Sequence, residues 1–222
     1  MVGLSAGVVS PRPGPRRRRR RFLITLLIVA AAALGLAGRA AATGGNYVFD
    51  GGTAAEQATV RAALDASSFD WSLVPGRLTI HIRRGIAVSE SVPGQTWLDA
   101  DLLDSGTFSW GVVQMEYAQQ VQFLLLDDAQ RAELVTALHA KDWCYEVPGT
   151  SVPDNACERF AATLAWAYWP SPQNSMQPSA PDDESAAMAP AAFRALLASM
   201  LGVSPQAPDA SFFRLRRASR GR

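Results

Sequence analysis

Hydrophobic and polar residues follow two different periods along this chain. Thr53-Ala54-Ala55-Glu56 has the frame in which a hydroxyl and a carboxylate cap the first N–H groups of a helix, and Val60, Ala63 and Leu64 carry an apolar stripe on to about Ala66. A turn at Val74-Pro75-Gly76 follows. The run Leu78-Thr79-Ile80-His81-Ile82-Arg83 then alternates, placing Leu78, Ile80 and Ile82 on one face of a strand and His81 on the other. Residues 96–102, after Pro93-Gly94, suit a second short strand in the same sheet.

From Ser109 the period becomes helical, with Trp110, Val113, Tyr117, Val121 and Leu124 spaced by threes and fours. Asp127-Asp128 caps a second helix whose stripe is Ala129, Leu134, Val135 and Leu138, with His139 in its last turn as a cation for the helix dipole. A third helix runs from about Ala156 to Trp169 and stops at Pro170. Phe160, Ala161, Leu164, Ala165, Trp166, Tyr168 and Trp169 leave it hardly any polar face, so it is expected to be buried. Glu158 stands out there, because a carboxylate in apolar surroundings must be paired, hydrated or functional. Residues 171–186 read as a loop. A last helix begins near Ala189-Pro190, presents Phe193, Leu196, Leu197, Met200 and Leu201, and ends before Gly202. The pattern predicts an α+β fold, a small sheet followed by a mainly helical half.

Composition changes this picture at the two ends. Six arginines, Arg16 to Arg21, precede an apolar run from Phe22 to Gly38, and Ala40-Ala41-Ala42 offers a cleavage site. This is the layout of an export signal, with an uncleaved single anchor over residues 22–38 as the competing reading. Arg19-Arg20-Arg21-Phe22-Leu23 also fits a twin-arginine signal, although a run of six arginines makes that match nearly automatic. The organisation expected is a signal or anchor at 1–42, one domain at 43–208 and a basic tail at 209–222. The product is then secreted or held in the cell envelope, touching a membrane only through its N-terminal segment.

The net charge of +1 conceals an uneven distribution, since residues 1–42 hold 8 of the 21 basic residues and none of the 20 acidic ones. The remainder carries 13 basic against 20 acidic residues, a balance of −7, and five of its arginines lie in the last nine positions. An acidic body of this kind argues against nucleic-acid binding. Cys144 and Cys157 are the only cysteines. In an exported chain such a pair reads first as a disulfide stabilising by about 3 kcal/mol; a metal pair is the alternative, though the C-x-x-C spacing is missing.

The stretch Met115-Glu116-Tyr117-Ala118-Gln119 has the frame of H-E-x-x-H, in which two imidazoles four residues apart on one helix face hold zinc and the glutamate activates its water. Both histidine positions are replaced. Together with the order of helix, strand, possible edge strand, motif helix and later glutamate-bearing helix, it resembles the gluzincin branch of the zincin metallopeptidases over roughly residues 95–170. Cys157-Glu158-Arg159-Phe160-Ala161-Ala162 is similar to the surroundings of that branch's third ligand.

The resemblance implies that Met115 and Gln119 stand at the two histidine positions, Glu116 at the general base and Glu158 at the third ligand. A thioether and a carboxamide do not replace imidazoles on zinc. Without zinc, water beside Glu116 keeps a pKa near that of bulk water, and hydrolysis by the family's route fails. The implied protein is a catalytically inactive relative with no cofactor, whose old cleft, lined by Glu116, Gln119, Glu158 and Trp97, binds a peptide or protein. Two alternatives stay open. One is a structural envelope domain without a working cleft. The other is an active metallopeptidase with an atypical site that draws on His81 or His139 and retains zinc. Neither a G-x-S-x-G elbow nor a Gly-rich phosphate loop occurs.

Overall fold

The computed structural model describes residues 45–144 and 148–205. The predicted signal or anchor at 1–42 and the whole basic tail at 209–222 lie outside them. Among the described residues no helix is long and apolar enough to cross a membrane.

The fold is α+β, with a four-stranded sheet and six α-helices among the described residues. Strand β1 (Tyr47–Gly51) leads into helix α1 (Ala54–Ala66), which returns the chain to β2 (Leu78–Arg83). The cap of α1 is reciprocal as predicted: Thr53 Oγ1 accepts from the Glu56 N–H at 3.2 Å and Glu56 Oε2 accepts from the Thr53 N–H at 2.7 Å. Strands β3 (Glu90–Val92) and β4 (Gln95–Asp99) form a hairpin around Pro93-Gly94. The order is β1-β2-β4-β3, with β1, β2 and β4 parallel and β3 antiparallel at the edge.

The predicted second strand ends earlier than expected. Asp99 caps the Asp101 N–H at 3.1 Å, and the chain turns at once into the short helix α2 (Ala100–Leu103). The left-out strands β1 and β3 complete the sheet. Alternation holds in β2, where Leu78, Ile80 and Ile82 are buried and the residues between them are not.

The motif helix α3 (Trp110–Leu124) lies against β3, β4 and α1, and also against α5 (Ala156–Tyr168). Between them, α4 (Asp128–Ala137) opens with an Asp127–Gln130 capping box. It is shorter than predicted. His139 lies beyond its end at φ 54°, exposed, with its N–H on the Thr136 carbonyl at 3.2 Å and the Ala140 N–H on the Val135 carbonyl at 3.0 Å. This Schellman ending makes His139 the left-handed residue after the helix instead of a cation in the last turn. Helix α6 (Pro190–Leu201) packs on α5 and ends at the left-handed Gly202.

The core joins Phe160 and Leu164 of α5 and Phe193 and Leu197 of α6 to Val113, Tyr117 and Val121 of α3 and the inner face of the sheet. Each large apolar side chain buried there contributes about 1.5–3 kcal/mol. Cys144 and Cys157 form a disulfide, which ties the loop before α5 to its first turn. Such a bridge is in keeping with an exported protein.

Candidate functional site

Helix α3 is buried almost all round, including four glutamines and a glutamate. Each polar group on it therefore needs a partner. Gln114 Nε2 donates to the Ala63 carbonyl at 2.6 Å. Gln120 holds the β3–β4 hairpin: its Oε1 accepts from the Gly94 N–H at 2.8 Å, and its Nε2 faces the Val92 and Gln95 carbonyls at 2.9 and 3.0 Å. These two glutamines fix the motif helix against α1 and beneath the edge strand.

Glu116 points at that edge strand. It is 9% exposed, and Ser91 of β3 sits 3.0 Å from its Oε2 and 2.9 Å from its own backbone carbonyl. Among the described residues no cation pairs with it. Burial pushes its carboxyl up to about 7, against the lowering effect of the Ser91 hydrogen bond and with a further push from the charges of Glu158 and Glu90.

One turn on, Gln119 Nε2 donates to Glu158 Oε2 of α5 at 3.3 Å, while its Oε1 accepts a short hydrogen bond from Gln122 Nε2. Residues 116, 119 and 158, far apart in the chain, thus meet at the junction of α3, α5 and the edge strand. The buried carboxylate is Glu116; Glu158, expected to be buried, is partly exposed because it lies in the first turn of α5. Ser91, Gln120 and Gln122 were not singled out by the sequence. A three-residue edge strand gives no periodicity, and neutral amides give no charge signal.

The donor set does not suit zinc. Met115 packs its side chain against the hydrophobic core, Gln119 offers a carboxamide already bonded to Glu158 and Gln122, and no group of three His, Cys, Asp or Glu side chains converges on one point among the described residues. Cys144 and Cys157 are bound to each other.

Trp97 does not line this site. Alternation in β4 sends Thr96 and Leu98 inward and Trp97 to the outer face, where it stacks on His81 at 4.6 Å between centroids. Strand register there lines up Asp50, His81, Trp97 and Glu90 across all four strands. His81 Nδ1 meets Asp50 Oδ2 at 2.7 Å and its Nε2 meets Gln95 Oε1 at 3.0 Å. Hydrogen bonds from His81 and then Arg83 hold the Asp50 carboxylate below its ordinary range. His81 is therefore committed on the far side of the sheet, and His139 beyond α4 does not join Glu116 and Glu158 either.

Compared with known proteins, the chain matches no family model, no curated protein and no solved structure.

Proposed function

We propose that this chain is an exported, catalytically inactive protein built on a zincin-like metallopeptidase scaffold, and that its former active-site cleft binds a peptide or protein segment. The observation that carries the reading is the meeting of Glu116, Gln119 and Glu158 beneath an antiparallel edge strand, through Ser91–Glu116 and Gln119–Glu158 contacts. In the family that the sequence resembles, the general base and two of the zinc ligands occupy these positions. Here a thioether and a carboxamide replace the imidazoles, so the site keeps acceptors and an edge strand while lacking the means to activate water. Binding by strand addition to β3, with side chains directed towards Glu116 and Glu158, is the use left to it.

The test is reconstruction. The Met115→His, Gln119→His double variant is expected to take up about one zinc per chain with Glu158 as third ligand, and the wild type none, as read by elemental mass spectrometry. A folded double variant that ignores submicromolar zinc overturns the scaffold assignment. Stoichiometric zinc in the wild type overturns the inactive reading.

A further inference from the structure

Strand β1 forms one edge of the sheet, bonded to β2 on one side only. The Leu78 N–H donates to the Asn46 carbonyl at 2.9 Å, and the parallel register runs on from Tyr47 opposite Leu78 to Gly51 opposite Ile82. In a parallel pair every second residue of the edge strand turns both backbone groups towards its neighbour, so Asn46, Val48 and Asp50 face β2 while Tyr47, Phe49 and Gly51 face outward. Among the described residues, the Gly51 carbonyl alone has a partner on that side, Gln57 Nε2 of α1 at 3.1 Å. Both groups of Tyr47, both of Phe49 and the Gly51 N–H stay open, a row that another extended chain can pair with. Strand β1 carries none of the usual guards of such an edge: Tyr47-Val48-Phe49-Asp50-Gly51 has no lysine, no proline and no bulge.

The open groups are symmetric about Phe49. A two-fold axis beside it sets Phe49 opposite Phe49 of a second copy, where each donates to the other, and sets Gly51 opposite Tyr47, where the N–H of one meets the carbonyl of the other and the missing side chain leaves room for the phenol ring. Val48 then stands opposite Asp50 on the outer face, so no like charges meet. Asp50 is already held there by His81 and Arg83 at 2.7 and 2.5 Å. Above the edge, Gln57, Arg61 and Asp65 follow one another by turns of α1, with Arg61 4.8 Å over the Phe49 ring. The same two-fold reverses that row, bringing the Asp65 end of one copy to the Gln57 end of the other. The half-buried Tyr47 and Phe49 rings, 5.3 Å apart, become one aromatic row across both copies. We infer that β1 is a self-association surface, on which a second copy of this chain adds antiparallel about Phe49 and joins two four-stranded sheets into one.

Cysteine cross-linking on the intact chain tests the register, since Cys144 and Cys157 are bonded to each other and leave no free thiol among the described residues. Val48→Cys chains mixed with differently tagged Asp50→Cys chains should join on oxidation, because these positions lie opposite with their Cβ atoms about 5 Å apart. Each variant alone should give at most about one-tenth of that product, because 48 on 48 and 50 on 50 are diagonal, about 7–8 Å apart. Sedimentation gives a second readout. Val48→Asp, which sets an aspartate against Asp50, should weaken the dimer about tenfold or more, whereas Val48→Lys, an equal disturbance of the strand, should tighten it. Concentrating the wild type should slow hydrogen exchange at the Phe49 and Gly51 amides and leave that of Tyr47, whose acceptor is held by Gln57, unchanged. Equal cross-linking in mixed and single variants, equal effects of aspartate and lysine, or a wild type that stays monomeric as it is concentrated overturns the proposal. Protection of the two amides by unrelated extended peptides, in a chain that does not pair with itself, also overturns it and gives the edge to another partner.

Discussion

Glu56 and Glu116 are buried to nearly the same degree, 5% and 9% exposed, and their surroundings could hardly differ more. Glu56 accepts from the Thr53 N–H and pairs with Arg84, whose guanidinium also reaches Asp101 and Asp104. Glu116 has a serine hydroxyl and two carboxylate neighbours. A buried carboxylate with a cation and a backbone donor is accounted for by the fold, as a cap. One with neither is not stabilised by the fold, and this is what makes Glu116 the candidate site.

The contrast predicts opposite responses to removing charge, the largest at Glu116. Its carboxyl keeps its proton to about pH 7 in the folded chain, against an ordinary value of 4.5 when unfolded. Between those values the folded state binds more protons, so stability falls as pH rises and is about 3 kcal/mol lower above pH 7 than below pH 4.5. Glu116→Gln should abolish that slope and stabilise the protein at pH 8, as read from urea unfolding at several pH values. Glu56→Gln should act the other way, costing about 2 kcal/mol at pH 7 through loss of the cap and the Arg84 pair; an unchanged midpoint would break the comparison.

Ser91→Ala sharpens it. Removing the one hydrogen bond that lowers the Glu116 carboxyl should move its titration further upward, visible by NMR of the labelled side chain. The smallest effect belongs to Asp50 on the exposed face. With its carboxylate lowered by His81 and Arg83, its contribution is lost as pH falls, but solvent and salt screen it. Asp50→Asn should leave the thermal midpoint within error in moderate salt.

Much of the scaffold was legible in the sequence because the signals are local. The Thr53–Glu56 cap, the alternation of β2 and the nearly all-apolar face of α5 each depend on neighbours within a few residues. Strands β1 and β3 were missed because they are short, with only Tyr47 and Phe49 facing inward in one and three residues in the other. Positions 116, 119 and 158, singled out in the sequence, are brought together by the structure. The burial of Glu158 and the face taken by Trp97 were misread: exposure at a helix start and strand parity are settled by packing, which composition does not report.

Gly111, four residues before Met115, carries a separate consequence. A Cβ there would lie 2.3 Å from Asn174 Oδ1 and 3.0 Å from the Ser175 backbone nitrogen, because the loop after α5 is pressed onto the first turn of α3. Asn174 in turn donates to the Ala165 and Trp169 carbonyls at 3.0 and 2.8 Å, so it has little room to withdraw. A glycine in the first turn of α3, paired with an asparagine in the loop after α5, is therefore a pattern by which distant kin could be recognised.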